Sequence, residues 1–273
     1  MNCSIVGEKY IPQLKKLWNE CYPEDTDEYI NVFFKKCFPL SRCVVGLEND
    51  MVVGVIYLFP CRILNENVPA FYFYAGGVFK SQRGHGYYRE IIDFAIKYSK
   101  DLEREFICLP LPHLIEFYDD MGFTQKYYHT VRNYSVSEIQ SEHNFQMKDI
   151  TAQEVLKMME ESAGNGYILW ELEVMEYIIG EYPSNNGFCR KVIVDDKDEY
   201  YIFARKETDH IKIIETSMPP KIIEDFTNEL LCEFGGNKVV AQVFADEDDE
   251  KHLSCVSSKH INEPTKWFTL IML

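Results

Sequence analysis

Positive charge is scarce in this chain. Its 273 residues include 28 Lys and Arg against 44 Asp and Glu, a formal net charge of −16. Nonspecific affinity for DNA or RNA comes from basic surface that releases counterions from phosphates, so this balance argues against nucleic-acid binding and, equally, against docking on anionic membranes. The nine cysteines contain no C-x-x-C pair and no His at ligand spacing, which removes the pattern of a zinc site or a disulfide framework; no metal is expected. No stretch approaches the roughly 18 apolar residues of a membrane span. The opening "MNCSIVGEKYIPQL" lacks a basic region followed by an apolar one. A cytoplasmic protein with reduced thiols is the expectation.

What is present is apolar and aromatic: 46% hydrophobic residues, 14% aromatic, and 18 tyrosines. Such a chain has the apolar surface to offset its ordering entropy and reads as one large or two ordinary globular domains. Residues 1–140 carry 15 basic and 18 acidic side chains and the remainder 13 and 26, so the acidity gathers in the second half. Solubility accounts for that simply; a cationic small substrate is the sharper alternative.

Periodicity divides the chain into two similar runs. "YIPQLKKLWNECYP" and "DEYINVFFKKCF" have helical spacing, with Pro23 ending the first. "RCVVGLENDMVVGVIYLFPCRI" predicts a hairpin over Glu48 to Asp50, "NVPAFYFYAGGVF" a third strand, "GYYREIIDFAIKYSKDLE" a helix, and "EFICLPL" a strand. "HLIEFYDDMGF" follows as a short helix stopped by Gly122, and "TQKYYHTVRNYSV" as an edge strand. Residues 136–150 are polar and weakly periodic and read as a connection. Beyond them "TAQEVLKMMEESA" and "ILWELEVMEYIIGEY" predict helices, with a hairpin over Asp195 to Asp198 and a strand at "HIKIIETSM". "PKIIEDFTNELLCEFGG" predicts a helix with Pro at its start and Gly at its end, and "NKVVAQVFA" and "TKWFTLIML" closing strands, with "ADEDDEK" a solvated loop between them. The fold class is α/β with a mixed (α+β) sheet in each half and a βαβ unit at the first centre. One architecture recurs without recurrence of sequence, giving domains at 1–137 and 145–273.

In "AGGVFKSQRGHGYYREIIDFAIKY", Ala75 to Tyr98, a strand runs into a glycine loop and then a helix. A helix start exposes unpaired N–H groups at the positive end of its dipole, and glycines let an anion approach, so the loop suits a phosphate or pyrophosphate. No G-x-x-x-x-G-K-[ST] is present, and Arg89 stands where a dinucleotide fingerprint has its third glycine. Ala75, Gly76 and Gly77 within the strand suit a bulge or close approach that parts it from its neighbour.

The loop resembles that of the GNAT superfamily of N-acetyltransferases, whose signature is [RQ]-x-x-G-x-[GA]. Here it reads Arg83-Gly84-His85-Gly86-Tyr87-Tyr88, with Tyr88 where the family prefers Gly or Ala. The order of elements resembles the branch with two fused GNAT-like folds, similar to the enhanced-intracellular-survival type acetyltransferases without their third domain. The second fold is degenerate, because Met218-Pro219-Pro220-Lys221 replaces the loop and prolines lack the N–H groups a pyrophosphate uses.

The resemblance implies an acetyl-CoA donor, with the N–H groups from Arg83 to Tyr88 on its pyrophosphate and the strand at Gly76, Gly77 and Val78 on its pantetheine arm and thioester carbonyl. It also implies a catalytic Tyr118, at the tyrosine before a Gly-Phe pair (Gly122, Phe123), whose phenol donates a proton to the CoA thiolate; a packed tyrosine is the plain alternative. In the tandem branch the terminal carboxylate, here Leu273, can reach the active site as base. Glu20, Glu24 and Asp27 are other acids on the acceptor side, and each is equally read as solvated. His85 is expected to face solvent, His113 to be structural, and Cys108 to be a packed thiol. The expected activity is direct acetyl transfer to a primary amine of a small molecule or peptide. The alternatives are a noncatalytic acyl-CoA sensor and a nucleotide or sugar-phosphate enzyme using the same loop.

Overall fold

The computed structural model describes residues 1–63, 68–137, 141–162, 168–244 and 248–257. These fall into two compact units that are not continuous in sequence: 1–63, 68–125 and 256–257 in the first, the rest in the second.

The first unit runs β1 (Asn2–Val6), α1 (Ile11–Cys21), α2 (Asp27–Val32), β2 (Arg42–Glu48), β3 (Met51–Ile63), β4 (Val68–Val78), α3 (Tyr87–Asp101), β5 (Glu105–Cys108) and α4 (Ile115–Asp120). β1 to β4 form an antiparallel meander in chain order except for the helices, and β5 joins β4 in parallel. The β2–β3 turn has Asn49 and Asp50 at φ 48° and 63°, the left-handed pair that matches the twist of a two-residue hairpin. α2 starts at a Thr26 cap whose hydroxyl accepts the Tyr29 N–H at 3.2 Å. Side chains alternate across β3, so one face meets α3, whose Ile91 sits over Gly54, and the other meets α1 and the turn that follows α2. On that second face Trp18, Phe33, Phe34 and Tyr57 pack ring against ring, Trp18 and Phe33 at 4.5 Å between centroids. Much of the aromatic excess is spent here, each pair adding roughly 0.5–1.5 kcal/mol beyond burial.

β6 (Thr124–Ser135), β7 (Phe145–Lys148), α5 (Ala152–Ser162), β8 (Ile168–Trp170), α6 (Leu172–Glu181), β9 (Gly187–Val194), β10 (Asp198–Lys206), β11 (Ile211–Thr216), α7 (Pro220–Phe234), β12 (Lys238–Phe244) and β13 (His252–Ser257) complete the chain as described. The sheet of the second unit has the order β6-β12-β11-β10-β9-β7, parallel only between β11 and β12. α7 buries Ile223, Phe226, Leu230 and Leu231 on Val192, Ile202, Ile213 and Val239 of that sheet, each large side chain contributing about 1.5–3 kcal/mol. Both units carry the same irregularity, a register shift between the third and fourth strands of the meander: at Ile56/Tyr57 against β4 and at Phe203/Ala204 against β11.

Several expectations are corrected. Residues 126–137, read as the end of the first domain, belong to the second unit, because β6 pairs antiparallel with β12 from Lys238↔Ser135 onward; it is no edge strand of the first half. The partner beside β5 in the first unit is supplied by Val256 and Ser257, which pair with Cys108 and Ile107. The Ser257 hydroxyl also bonds the buried Glu105 carboxylate. The supposed connection at 136–150 contains β7, and the helix expected from Ile168 begins only at Leu172, after three extended residues. β13 was not foreseen, and the strand expected at 265–273 lies outside the described residues, as does Leu273. Among the described residues no helix is long and apolar enough to cross a membrane.

Candidate active site

The site is built where β4 outlives its neighbour. The parallel ladder with β5 runs from Ala70↔Glu105 to Phe73↔Cys108 and stops, because Pro110 and Pro112 follow in the sequence and cannot donate to a sheet. β4 continues to Val78. Midway, Ile56 pairs with Gly76 and Tyr57 with Tyr74, so Ala75 is an extra residue, held at φ 42°. A Cβ on Gly76 would strike the Phe73 ring, and one on Gly77 would strike the Cys21 sulfur, so both positions require glycine for space.

The polar groups along this edge meet the end of α1. The Tyr22 hydroxyl donates to the Gly76 carbonyl at 2.8 Å and accepts the Gly76 N–H at 2.9 Å. The Val78 carbonyl accepts from Arg83 Nε at 3.2 Å and lies 3.9 Å from Cys21 Sγ. The Glu20 carboxylate accepts the Lys80 N–H.

Past Val78 the chain makes one tight turn, Lys80–Gln82, and enters the glycine loop. Gly84 and Gly86 have φ of 82° and 80°, and Gly86 is the residue before the first turn of α3, its carbonyl accepting the Glu90 N–H at 3.2 Å. The N–H groups at the start of α3 therefore have no carbonyl of their own helix to bond. His85 is exposed, its Nδ1 3.1 Å from the Arg83 carbonyl and its ring stacked on Tyr87 at 5.5 Å. Tyr87 gives its hydroxyl to Glu48. No atom lies within 4 Å of a Cβ built on Gly86, so Gly86→Ala tests the backbone alone. It is expected to cost about 1 kcal/mol, a fall of roughly 2–4 °C in Tm by calorimetry.

Tyr118 sits in α4, which ends when Met121 and Phe123 both donate to the Tyr118 carbonyl at 3.0 Å and Gly122 turns at φ 82°. The side chain is 2% exposed, and its hydroxyl lies 3.2 Å from that of Tyr88. Burial first, then the Cys108 thiol and Tyr88, hold the Tyr118 phenol far above its ordinary range. Burial also raises Tyr88 and Cys108. Tyr118 is thus neutral at any working pH and can donate a hydrogen bond, and Cys108, buried with no base beside it, is a packed thiol. Tyr88 fills the place of a small motif residue with a ring against Phe117 at 5.8 Å and Phe73 at 6.5 Å.

The structure brings Tyr88, Tyr118 and Cys108 together, and Gly76, Val78 and Arg83 along one strand edge. Glu24 and Asp27 are exposed, and Glu20 is committed to Lys80. His113 stands exposed in the turn before α4. Two residues escaped sequence reasoning. Tyr22, among 18 tyrosines, carried no local signal beyond its place at a helix end before Pro23. Asp25 receives the Trp18 indole N–H at 2.7 Å, and burial raises its carboxyl. No group of three or more potential metal ligands occurs among the described residues.

Comparison with known proteins gives a consistent picture. Residues 3–125 match the family model described as acetyltransferase (GNAT) domain. No curated protein matches the sequence. Among solved structures, a probable N-acyltransferase from Enterococcus faecalis V583 aligns with TM-score 0.75 at 10% identity, over 94% of this chain and 71% of that one. Eis1 from Mycobacterium abscessus aligns with TM-score 0.65 at 9% identity, over 99% and 74%. A tandem GNAT protein from the clavulanic acid biosynthesis pathway aligns with TM-score 0.55 at 11% identity, over 94% and 97%. At these identities the likeness is one of fold, and that fold is the tandem one.

Proposed function

We propose that this chain, whose residues 3–125 match an acetyltransferase (GNAT) domain, is an acyltransferase that transfers an acetyl group from acetyl-CoA to a primary amine of a small molecule or peptide. The observation that carries this reading is the length of β4 beyond its bulge, with no β5 ladder beside it, leading into two left-handed glycines at a helix start. A thioester carrier with a diphosphate and a peptide-like arm needs those two features in that order. The N–H groups from Gly84 to Tyr88 would take the diphosphate, where the helix dipole favours negative charge. The β4 edge at Gly76 and Val78 would pair with the arm, and the Val78 N–H, which shares that edge while Gly77 turns toward β3, would polarise the thioester carbonyl.

In the transfer the neutral amine attacks the carbonyl carbon, a C–N bond forms and the C–S bond breaks. The attacking nitrogen loses one proton and the departing thiolate gains one. Tyr118 serves the sulfur. Its phenol is so much weaker an acid than a thiol that its contribution is a hydrogen bond to the developing thiolate, with any proton it yields regained from the amine side. The second unit, with Pro219 and Pro220 at the start of α7, takes no donor in this reading. The protein works in the cytoplasm, and its acidic balance favours a cationic acceptor.

The crowding of Tyr118 by Tyr88 favours one second reading, a noncatalytic acyl-CoA sensor. Thermal-shift titration with acetyl-CoA, longer acyl-CoAs, ATP and NAD, followed by thiol release over an amine library, separates the possibilities. Acetyl-CoA alone should raise Tm by several degrees at saturating concentration, and at least one amine should release free thiol. A Tm that moves with ATP or NAD and not with CoA would refute both acyl-CoA readings; CoA binding with no thiol release from any amine would leave the sensor.

A further inference from the structure

The end of α1 follows the edge of β4 that the proposed donor arm requires. Three consecutive residues take part: Glu20 on the Lys80 N–H, Cys21 against Gly77 and the Val78 carbonyl, and Tyr22 on both polar groups of Gly76. A hydroxyl has one proton to give and lone pairs to accept, so a single tyrosine can satisfy an N–H and a C=O of the same strand residue. A secondary amide lying along the strand would offer the same complement, its C=O to the N–H and its N–H to the C=O. The two cannot hold Gly76 together. Given the acyl-CoA reading, on which this rests, we infer that Tyr22 is a donor-site residue whose hydroxyl stands in for an amide of the pantetheine arm on Gly76 and leaves as the arm arrives.

The contact is a maintained one. Burial pushes the Tyr22 phenol up to about 12, so it keeps its proton throughout the working range. The ring is held independently of the hydroxyl, 5.7 Å from Trp18. The helix runs up to this point, the Tyr22 N–H closing it on the Trp18 carbonyl at 2.8 Å. Displacing Tyr22 therefore loosens the last turn of α1 and couples donor binding to that turn.

Tyr22→Phe keeps the ring and removes the competitor. Acetyl-CoA should bind the variant about 3–30-fold more tightly by calorimetric titration, the worth of one or two net hydrogen bonds. Tyr29→Phe, which removes a hydroxyl 2.7 Å from that of Tyr74, serves as control and should bind within about twofold of wild type. A Tyr22→Phe affinity equal to or weaker than wild type would overturn the inference. Hydrogen exchange on the unaltered protein gives a second test: saturating CoA should speed exchange of amides at residues 20–22 while slowing it at 76–78, and protection of both segments would also overturn it. If wild type binds no CoA, the functional reading itself falls; if it binds and Tyr22→Phe is no tighter, only the role of Tyr22 falls.

Discussion

Tyr118→Phe should lower kcat about 10²–10³-fold, the usual worth of one hydrogen bond aimed at charge that develops in the transition state, and leave the affinity for acetyl-CoA within about twofold. The split follows from what the phenol does. A hydrogen bond to sulfur that strengthens only as charge develops on the leaving group stabilises the transition state and not the bound donor. The substitution keeps the ring, whose edge-on contacts with Phe117 at 5.3 Å and Phe123 at 5.2 Å need no hydroxyl. It does strand two neighbours, the Tyr88 hydroxyl and the Cys108 thiol, so a modest loss of stability, on the order of 1–3 kcal/mol, should accompany it. The measurement is steady-state thiol release with a saturating amine, beside a binding titration. Turnover unchanged in the variant would remove Tyr118 from the mechanism.

The second large effect concerns stability and lies in the second unit. Glu215 on β11 has no exposed surface, and its Oε1 accepts the Tyr201 hydroxyl at 2.9 Å while Oε2 has no hydrogen-bond partner among the described residues. Burial raises its carboxyl to about 8, against which the Tyr201 bond pulls only weakly. Between the unfolded value near 4.5 and about 8, the folded protein holds a proton that the unfolded chain has released. The unfolded state binds fewer protons in that window, so stability falls as pH rises through it, by about 1 kcal/mol or a little more per pH unit, and levels off above. Glu215→Gln keeps an acceptor for Tyr201 and cannot ionise. Its Tm should match wild type near pH 5 and exceed it near pH 8 by on the order of 10 °C. A wild-type minus variant difference that does not change over that range would show Glu215 ionising in place without penalty.

Glu215 also shows how the two units relate as designs. It follows the β11 irregularity as Gly76 follows that of β4: Ala204 pairs with Ile213 and Phe203 with Glu215, as Tyr57 pairs with Tyr74 and Ile56 with Gly76. Where the first unit keeps a residue without a side chain and an edge that substrate backbone can approach, the second has a buried acid, then Thr216, whose hydroxyl bonds the Tyr201 carbonyl at 2.6 Å and receives the Met218 N–H at 3.1 Å.

Local chemistry was enough for most of the elements and for the glycine loop. Helical spacing located α1, α3 and α7, and paired left-handed residues closed both hairpins, whereas the strand read over "EFICLPL" ends earlier, at Cys108, ahead of Pro110. These depend on a few neighbouring residues, whose preferences survive in any context. Strand partnership does not. Nothing in "TQKYYHTVRNYSV" distinguishes β12 from β5 as its neighbour, because a ladder is made by backbone groups that every residue shares. The short β7 and β13 were invisible for the same reason, their pairing being supplied from far away in the chain. Tyr22 belongs to this second class: its meaning comes from standing 54 residues from Gly76 in sequence and 2.8 Å from it in space, a distance that only the packing of α1 on the sheet creates.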